Sequence, residues 1–214
     1  MLQVHPDEPQ PDRIDYIVSC LCKGDVVAMP TDTFYGLAVD PVNLCAVEQI
    51  YKIKTRQKHK PLSLLIASVS QAYELARDTD PMLDKLAERF WPGPLTIIVH
   101  AGCKLPLRST ANTGNVALRV PDAAIPRAVV ERFGFPITAT SANLSGASEC
   151  TTAQAVKEQL GEHIPLIVDG GQSPHEIAST IVDLTVDEIG QLPWRIQREG
   201  AIRKEEIFKV LGGS

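Results

Sequence analysis

The residues with chemical reach in this sequence lie in several short polar segments rather than in one signature. Pro30-Thr31-Asp32-Thr33-Phe34-Tyr35-Gly36-Leu37 sets two hydroxyls, a carboxylate and a phenol ahead of a glycine. Lys54-Thr55-Arg56, with Lys58 and Lys60, belongs to a run carrying five cationic side chains between Lys52 and Lys60. A guanidinium fork and an ammonium point charge suit phosphates and carboxylates. Ser141-Ala142-Asn143 offers a hydroxyl and an amide, groups that an adenine, a ribose or a phosphate can engage. Ser179-Thr180 and Arg198-Glu199-Gly200 add a further hydroxyl pair and a further cation. Each segment also has an ordinary reading: a loop with local side-chain caps, a solvated charge run, a plain turn.

Other chemistries are excluded by pattern. There is no GxxxxGK[ST] loop, no GxGxxG opening a helix and no kinase-like set of motifs. His5, His59, His100, His163 and His175 lie in unlike contexts with no nucleophile paired to a base, so covalent catalysis is not expected. The cysteines (Cys20, Cys22, Cys45, Cys103, Cys150) are scattered, without metal-ligand spacing, and are expected to be reduced and mostly buried. No metal is assigned to protein ligands.

The elements that must position these segments can be read from periodicity and breakers. Ile14, Ile17, Val18 and Leu21 predict a first helix stopped at Lys23-Gly24, then a strand over Val26–Met29 ending at Pro30. Leu44, Val47, Ile50 and Tyr51 predict a second helix that delivers the basic run on a surface loop, followed by a strand over Leu62–Ala67. Helices over 69–77 and 81–90 precede the turn Trp91-Pro92-Gly93-Pro94. Strands follow over Leu95–His100 and Val116–Val120, then a helix over 123–133 and a strand over Ile137–Thr140. A helix over 152–160, strands over Leu166–Val168, Ser179–Leu184 and Trp194–Gln197, and a helix over 203–211 complete the reading. Strands and helices interleave, and several strands succeed one another directly. The predicted class is α/β, a twisted mixed sheet with helices around it, in a single domain over 1–214 with a core of about 11–201.

Composition sets the outer bounds. Of 214 residues, 44% are hydrophobic and 22% charged, the balance of a globular protein with a real core. No apolar run approaches the roughly 18 residues of a membrane-spanning helix, and the N-terminus lacks the pattern of a signal peptide, so a cytoplasmic protein without a membrane partner is expected. A net charge of -5 and 5% aromatics argue against a protein that coats nucleic acid non-specifically.

Taken in order, eight segments carry a resemblance: PTDTFYGLA (30–38), KTRQKHKPL (54–62), WPGPLT (91–96), ALRVP (117–121), SANLSG (141–146), VDGG (168–171), STIVD (179–183) and REG (198–200). Together they resemble the YrdC-type threonylcarbamoyl-AMP synthases, from about Gly24 to Ala201. Two features depart from that pattern. The strand after the basic run reads PLSLLI where relatives with a C-terminal extension often read PLIVHI, and the opening VHPD is similar to the paralogous YciO type.

The resemblance implies a concave basic cavity holding ATP beside L-threonine. Lys54 and Arg56 would meet the phosphates and act catalytically through their charge. Ser141, Asn143 and Thr151 would line the nucleotide, and Arg198 would close over it. Thr31, Tyr35, Arg119 and Ser179 would hold threonine, with Arg119 on its carboxylate. The implied reaction joins threonine, bicarbonate or CO2, and ATP into threonylcarbamoyl-AMP and pyrophosphate, for threonylcarbamoyladenosine in tRNA. Mg2+ would accompany ATP. Further partners implied are tRNA or double-stranded RNA and a downstream threonylcarbamoyl transferase complex. The alternative is a YciO-type nucleotide- or RNA-binding protein of the same fold.

Overall fold

A computed structural model describes residues 1–55, 62–105, 113–174, 176–186 and 192–212. In chain order the elements are β1 (Leu2–Gln3), α1 (Pro11–Lys23), β2 (Val27–Met29), β3 (Gly36–Ala38), α2 (Leu44–Lys54) and β4 (Ser63–Leu65). Then follow α3 (Val69–Leu75), α4 (Pro81–Phe90), β5 (Leu95–His100), β6 (Asn115–Arg119), α5 (Ala124–Phe133) and β7 (Ile137–Ser141). The last are α6 (Ala153–Leu160), β8 (Leu166–Asp169), β9 (Thr180–Asp183), β10 (Arg195–Arg198) and α7 (Lys204–Leu211). The boundaries of α1 follow from local chemistry: Pro11 stands in its first turn, and Gly24 ends it with φ of 86°, which glycine adopts without a Cβ clash. Asn43, Asp80 and Thr152 cap α2, α4 and α6 by accepting from backbone N–H groups two or three residues on.

The strands of the described residues form one mixed sheet in the order β1-β8-β2-β3-β7-β4-β6-β5-β9-β10. Its parallel pairs are β1 with β8, β2 with β8, β4 with β6 and β5 with β9. The others run antiparallel. Strand β7 joins the two halves, because Ile137, Thr138 and Ala139 pair with β4 while Thr140 and Ser141 pair with β3.

Two strands missed by periodicity, β1 and β3, are short. Polar chemistry in the 30–36 segment masked β3, which pairs Gly36 with Met29 and Ala38 with Val27 as the return arm of a hairpin.

Side chains of β2 and β8 are buried on both faces. Val27, Met29 and Val168 pack against α1 and α5, while Ala28 and Ile167 pack against α2 and α6, hence the unbroken apolar run Val26–Met29. Further along, Leu64, Ile97, Leu118 and Val182 turn to one side, where α3, α4 and α7 cover them with Leu75, Leu83, Leu86 and Ile207. The alternate residues of those strands face a cavity instead. Cys20 and Cys150 are buried, as expected, but Cys22, Cys45 and Cys103 are exposed; all five are free. Among the described residues no helix is long and apolar enough to cross a membrane.

Candidate active site

The cavity encloses about 330 Å³, within the range typical of small-molecule sites. Its floor is one face of the sheet: Ser63 and Leu65 of β4, Thr96 and Ile98 of β5, Ala117 and Arg119 of β6, Ala139 and Ser141 of β7, and Ile181 of β9. Their spacing by two is the pleat of a strand, and the small Ser63, Thr96, Ala117, Ala139 and Ser141 among them leave room for a ligand. Thr31, Thr33, Phe34 and Tyr35 from the loop before β3 form one wall; Ser179, Gln197 and Arg198 form another.

Arg119, only 6% exposed at the end of β6, is the best-held cation of the site. Its Nε donates to Gly93 O at 3.0 Å, in the Trp91–Pro94 turn, and its Nη1 donates to Thr33 Oγ1 at 3.1 Å. Nη2 lies 2.6 Å from Oδ1 of the buried Asp32. Thr33 is fixed in turn, since its amide donates to Thr31 Oγ1 at 3.1 Å and the Thr31 hydroxyl donates to Phe34 O at 2.7 Å.

Across the cavity, Arg198 donates from Nε and Nη2 to Ser179 O at 3.1 and 2.8 Å, and from Nη2 to Ser179 Oγ at 3.1 Å. Ser179 Oγ shares a hydrogen bond of 2.9 Å with Thr96 Oγ1. Burial pulls the Arg198 guanidinium below its ordinary pKa; Glu149 on the rim opposes this, and the field of Arg119 adds to it. Arg119 and Arg198 both line this cavity. Gly200 lets the segment after Arg198 pass close to the Ala178–Ser179 backbone, for a Cβ there would lie 2.1 Å from Ala178 O.

Six of the residues singled out from the sequence therefore line one cavity: Thr31, Tyr35, Ser141, Ser179, Arg119 and Arg198. Tyr35 is fully buried and donates its hydroxyl to Gly171 O at 2.6 Å; burial, reinforced by Asp169, raises its pKa to about 12. The phenol is thus a fixed neutral strut.

Lys54 corrects an expectation. It is the last residue of α2 rather than part of a surface loop, and it is 2% exposed. Its ammonium donates to Ser141 O, to Asn143 O at 2.8 Å and to Asn143 Oδ1 at 3.0 Å. The charge is solvated by the Ser141–Asn143 loop from beneath, and Lys54 is not among the residues lining the cavity. Asn143, 5% exposed, completes that loop by accepting from the Ser141 hydroxyl at 2.7 Å and donating to Ala147 O at 2.6 Å. Thr151 sits beside the α6 cap and its carbonyl accepts from Ser173 N; it does not line the cavity either. Arg56 lies outside the described residues. Asp32, Thr33 and Thr96 were not singled out from the sequence, although Asp32 and Thr33 stand within its first polar segment. Their burial was the missing signal, with Asp32 and Thr33 set against Arg119 and Thr96 against Ser179.

A family model for the Sua5/YciO/YrdC domain, described as telomere recombination, matches residues 19–200. The chain belongs to this family. It is 38% identical over 213 residues to a threonylcarbamoyl-AMP synthase of Bacillus subtilis, covering 98% of this chain and 59% of that protein. The crystal structure of Pyrococcus abyssi Sua5 complexed with L-threonine superposes with a TM-score of 0.92 at 34% identity, over 99% of this chain and 60% of that one. Escherichia coli YciO superposes with a TM-score of 0.84 at 27% identity, over 94% of this chain and 95% of that one. This Sua5/YciO/YrdC chain thus spans less than two thirds of the length of the first two relatives.

Proposed function

We propose that the chain forms threonylcarbamoyl-AMP and pyrophosphate from L-threonine, bicarbonate or CO2, and ATP, and so supplies a tRNA modification in the cytoplasm. The observation that carries the reading is the placement of Arg119 and Arg198 on one cavity that also presents the hydroxyl residues Thr31, Thr33, Thr96, Ser141 and Ser179. A relative of the same fold has been solved with L-threonine, and a synthase shares 38% identity with this chain.

The threonine amine would attack CO2 to give a carbamate, whose oxygen displaces pyrophosphate from the α-phosphorus. Two anions must then meet. At about 4 Å and an effective dielectric near 20, two unit charges repel by roughly 4 kcal/mol. Arg119 and Arg198 would offset that repulsion and stabilise the charge spreading over the transferring group. Ser141 and Asn143, steadied from below by Lys54, would meet the nucleotide, and Arg56 would supply further charge to the phosphates. Thr31 and Ser179 would orient threonine, with Tyr35 holding that wall in place.

Among the described residues no three His, Cys, Asp or Glu side chains gather to hold a metal. At the cavity, Glu149 lies exposed on the rim and Asp32 is committed to Arg119. Mg2+ would therefore be ligated chiefly by phosphate oxygens and water.

The test is incubation of the purified protein with ATP, labelled bicarbonate and threonine. Threonine-dependent pyrophosphate and a labelled acyl-adenylate are expected; their absence refutes the proposal. Serine, short of one methyl worth about 1 kcal/mol, should be a poor substrate, whereas valine would strand a buried hydroxyl partner and should give no product. Equal turnover of valine and threonine rules out this pocket.

The near-complete match to YciO keeps a second reading, a nucleotide- or RNA-binding paralogue. RNA affinity that is salt-sensitive and survives loss of ATP binding, with no acyl-adenylate formed, would favour it.

A further inference from the structure

We propose that Asp32 is the positioning residue for Arg119, holding its guanidinium by charge alone so that the terminal nitrogen Nη2 stays open to a substrate carboxylate. The inference rests on the threonine-binding reading of this cavity.

Asp32 is 3% exposed and Arg119 6%, yet no hydrogen bond of good geometry joins them. Neither carboxylate oxygen of Asp32 has a hydrogen-bond partner among the described residues, and neither does Nη2 of Arg119. The 2.6 Å separation between Oδ1 and Nη2 is thus an ion pair whose N–H bonds point elsewhere. Buried polar groups are nearly always hydrogen-bonded, so the Nη2 donor of the cavity-lining Arg119, left without an acceptor, marks a place where an acceptor on a ligand completes its set.

The other two nitrogens are spoken for. Nε is tied to Gly93 O and Nη1 to Thr33 Oγ1, from two different loops. Nη1 carries two N–H bonds and shares one with Thr33, so Nη1 and Nη2 together keep the donors that a carboxylate takes in a two-pronged grip. A buried guanidinium without a counter-charge is costly to keep in place, and a counter-charge that used its hydrogens would block the ligand. Asp32 meets both conditions. Thr33, its neighbour in sequence, sets the rotation of the same group, and Gly93 sets its depth.

Calorimetric titration of the full chain with L-threonine, and separately with ATP, tests this in wild type, Asp32→Asn, Asp32→Ala and Arg119→Lys. Asp32→Asn keeps the shape and removes the charge, so it remains informative if Asp32→Ala does not fold. Threonine affinity is expected to fall by about 30-fold or more in Asp32→Ala and about 10-fold in Asp32→Asn, the scale of losing one member of a buried charge pair. ATP affinity should stay within about twofold of wild type. In turnover, KM for threonine should rise while KM for ATP does not, a split that general loosening of the fold would not produce.

If Arg119→Lys weakens threonine binding while a folded Asp32→Asn binds as wild type does, the role of Asp32 is overturned and the threonine site stands. Equal losses for threonine and ATP in Asp32→Asn also overturn it, as a merely structural role. A wild-type chain with no threonine affinity overturns the functional reading itself.

Discussion

Replacing Lys54 with methionine separates two roles that the sequence alone could not distinguish. Methionine keeps most of the buried stem and removes the ammonium. Three acceptors, Ser141 O, Asn143 O and Asn143 Oδ1, then lose their donor in a place 2% exposed for Lys54 and 5% for Asn143. Each lost hydrogen bond is worth about 1 kcal/mol net, so the loss of three should cost roughly 3 kcal/mol. For a chain of this size each kcal/mol moves Tm by about 2 to 4 °C, which gives a fall of roughly 6 to 12 °C. Thermal unfolding followed by far-UV circular dichroism reads this directly, with ATP affinity measured well below the transition. The Ser141–Asn143 loop should also loosen, because its serine hydroxyl and asparagine amide are organised around that ammonium. A variant that melts within about 2 °C of wild type but no longer binds ATP would refute the clamp and make Lys54 a direct phosphate ligand.

Two further outcomes follow from the geometry. Burial pushes the Asp183 carboxyl up, but hydrogen bonds from Thr185, Gln197 and Arg195 outweigh it and leave its pKa below the ordinary aspartate value of 3.8. A depressed folded pKa stabilises the fold above the unfolded value and loses that contribution as pH falls through the folded one. The stability gap between wild type and Asp183→Asn, from urea titrations, should thus be full near neutrality and shrink below about pH 4; a gap independent of pH would contradict it. Gly200→Ala would drive a Cβ to within 2.1 Å of Ala178 O, so the segment bearing Arg198 must shift off Ser179. We expect loss of the proposed synthase activity with a lowered Tm, and full activity in that variant would show that Arg198 tolerates displacement.

Most of the architecture was legible because its signals are local. Gly24 stopped α1, the Trp91–Pro94 turn separated α4 from β5, and the largely apolar runs Leu95–His100 and Val116–Val120 drew β5 and β6. β3 was not legible, since the hydroxyls and carboxylate ahead of it read as loop and its pairing partners lie at Met29 and Ser141. The exposed Cys22, Cys45 and Cys103 likewise show that residue type alone does not fix which face of an element is turned outward.

By itself the sequence determined the helices, every strand but β1 and β3, and which polar segments belong to one family pattern, because capping, turn chemistry and periodicity act over a few residues. Only the tertiary structure decided how those segments share the work. It turned Lys54 beneath the Ser141–Asn143 loop, brought Arg119 from β6 and Arg198 from β10 to one cavity, and set Asp32 against Arg119. The physical reason is range. Burial and charge pairing depend on groups far apart in the chain, and no local spacing records which cation will find carbonyls, which a carboxylate, and which an open cavity.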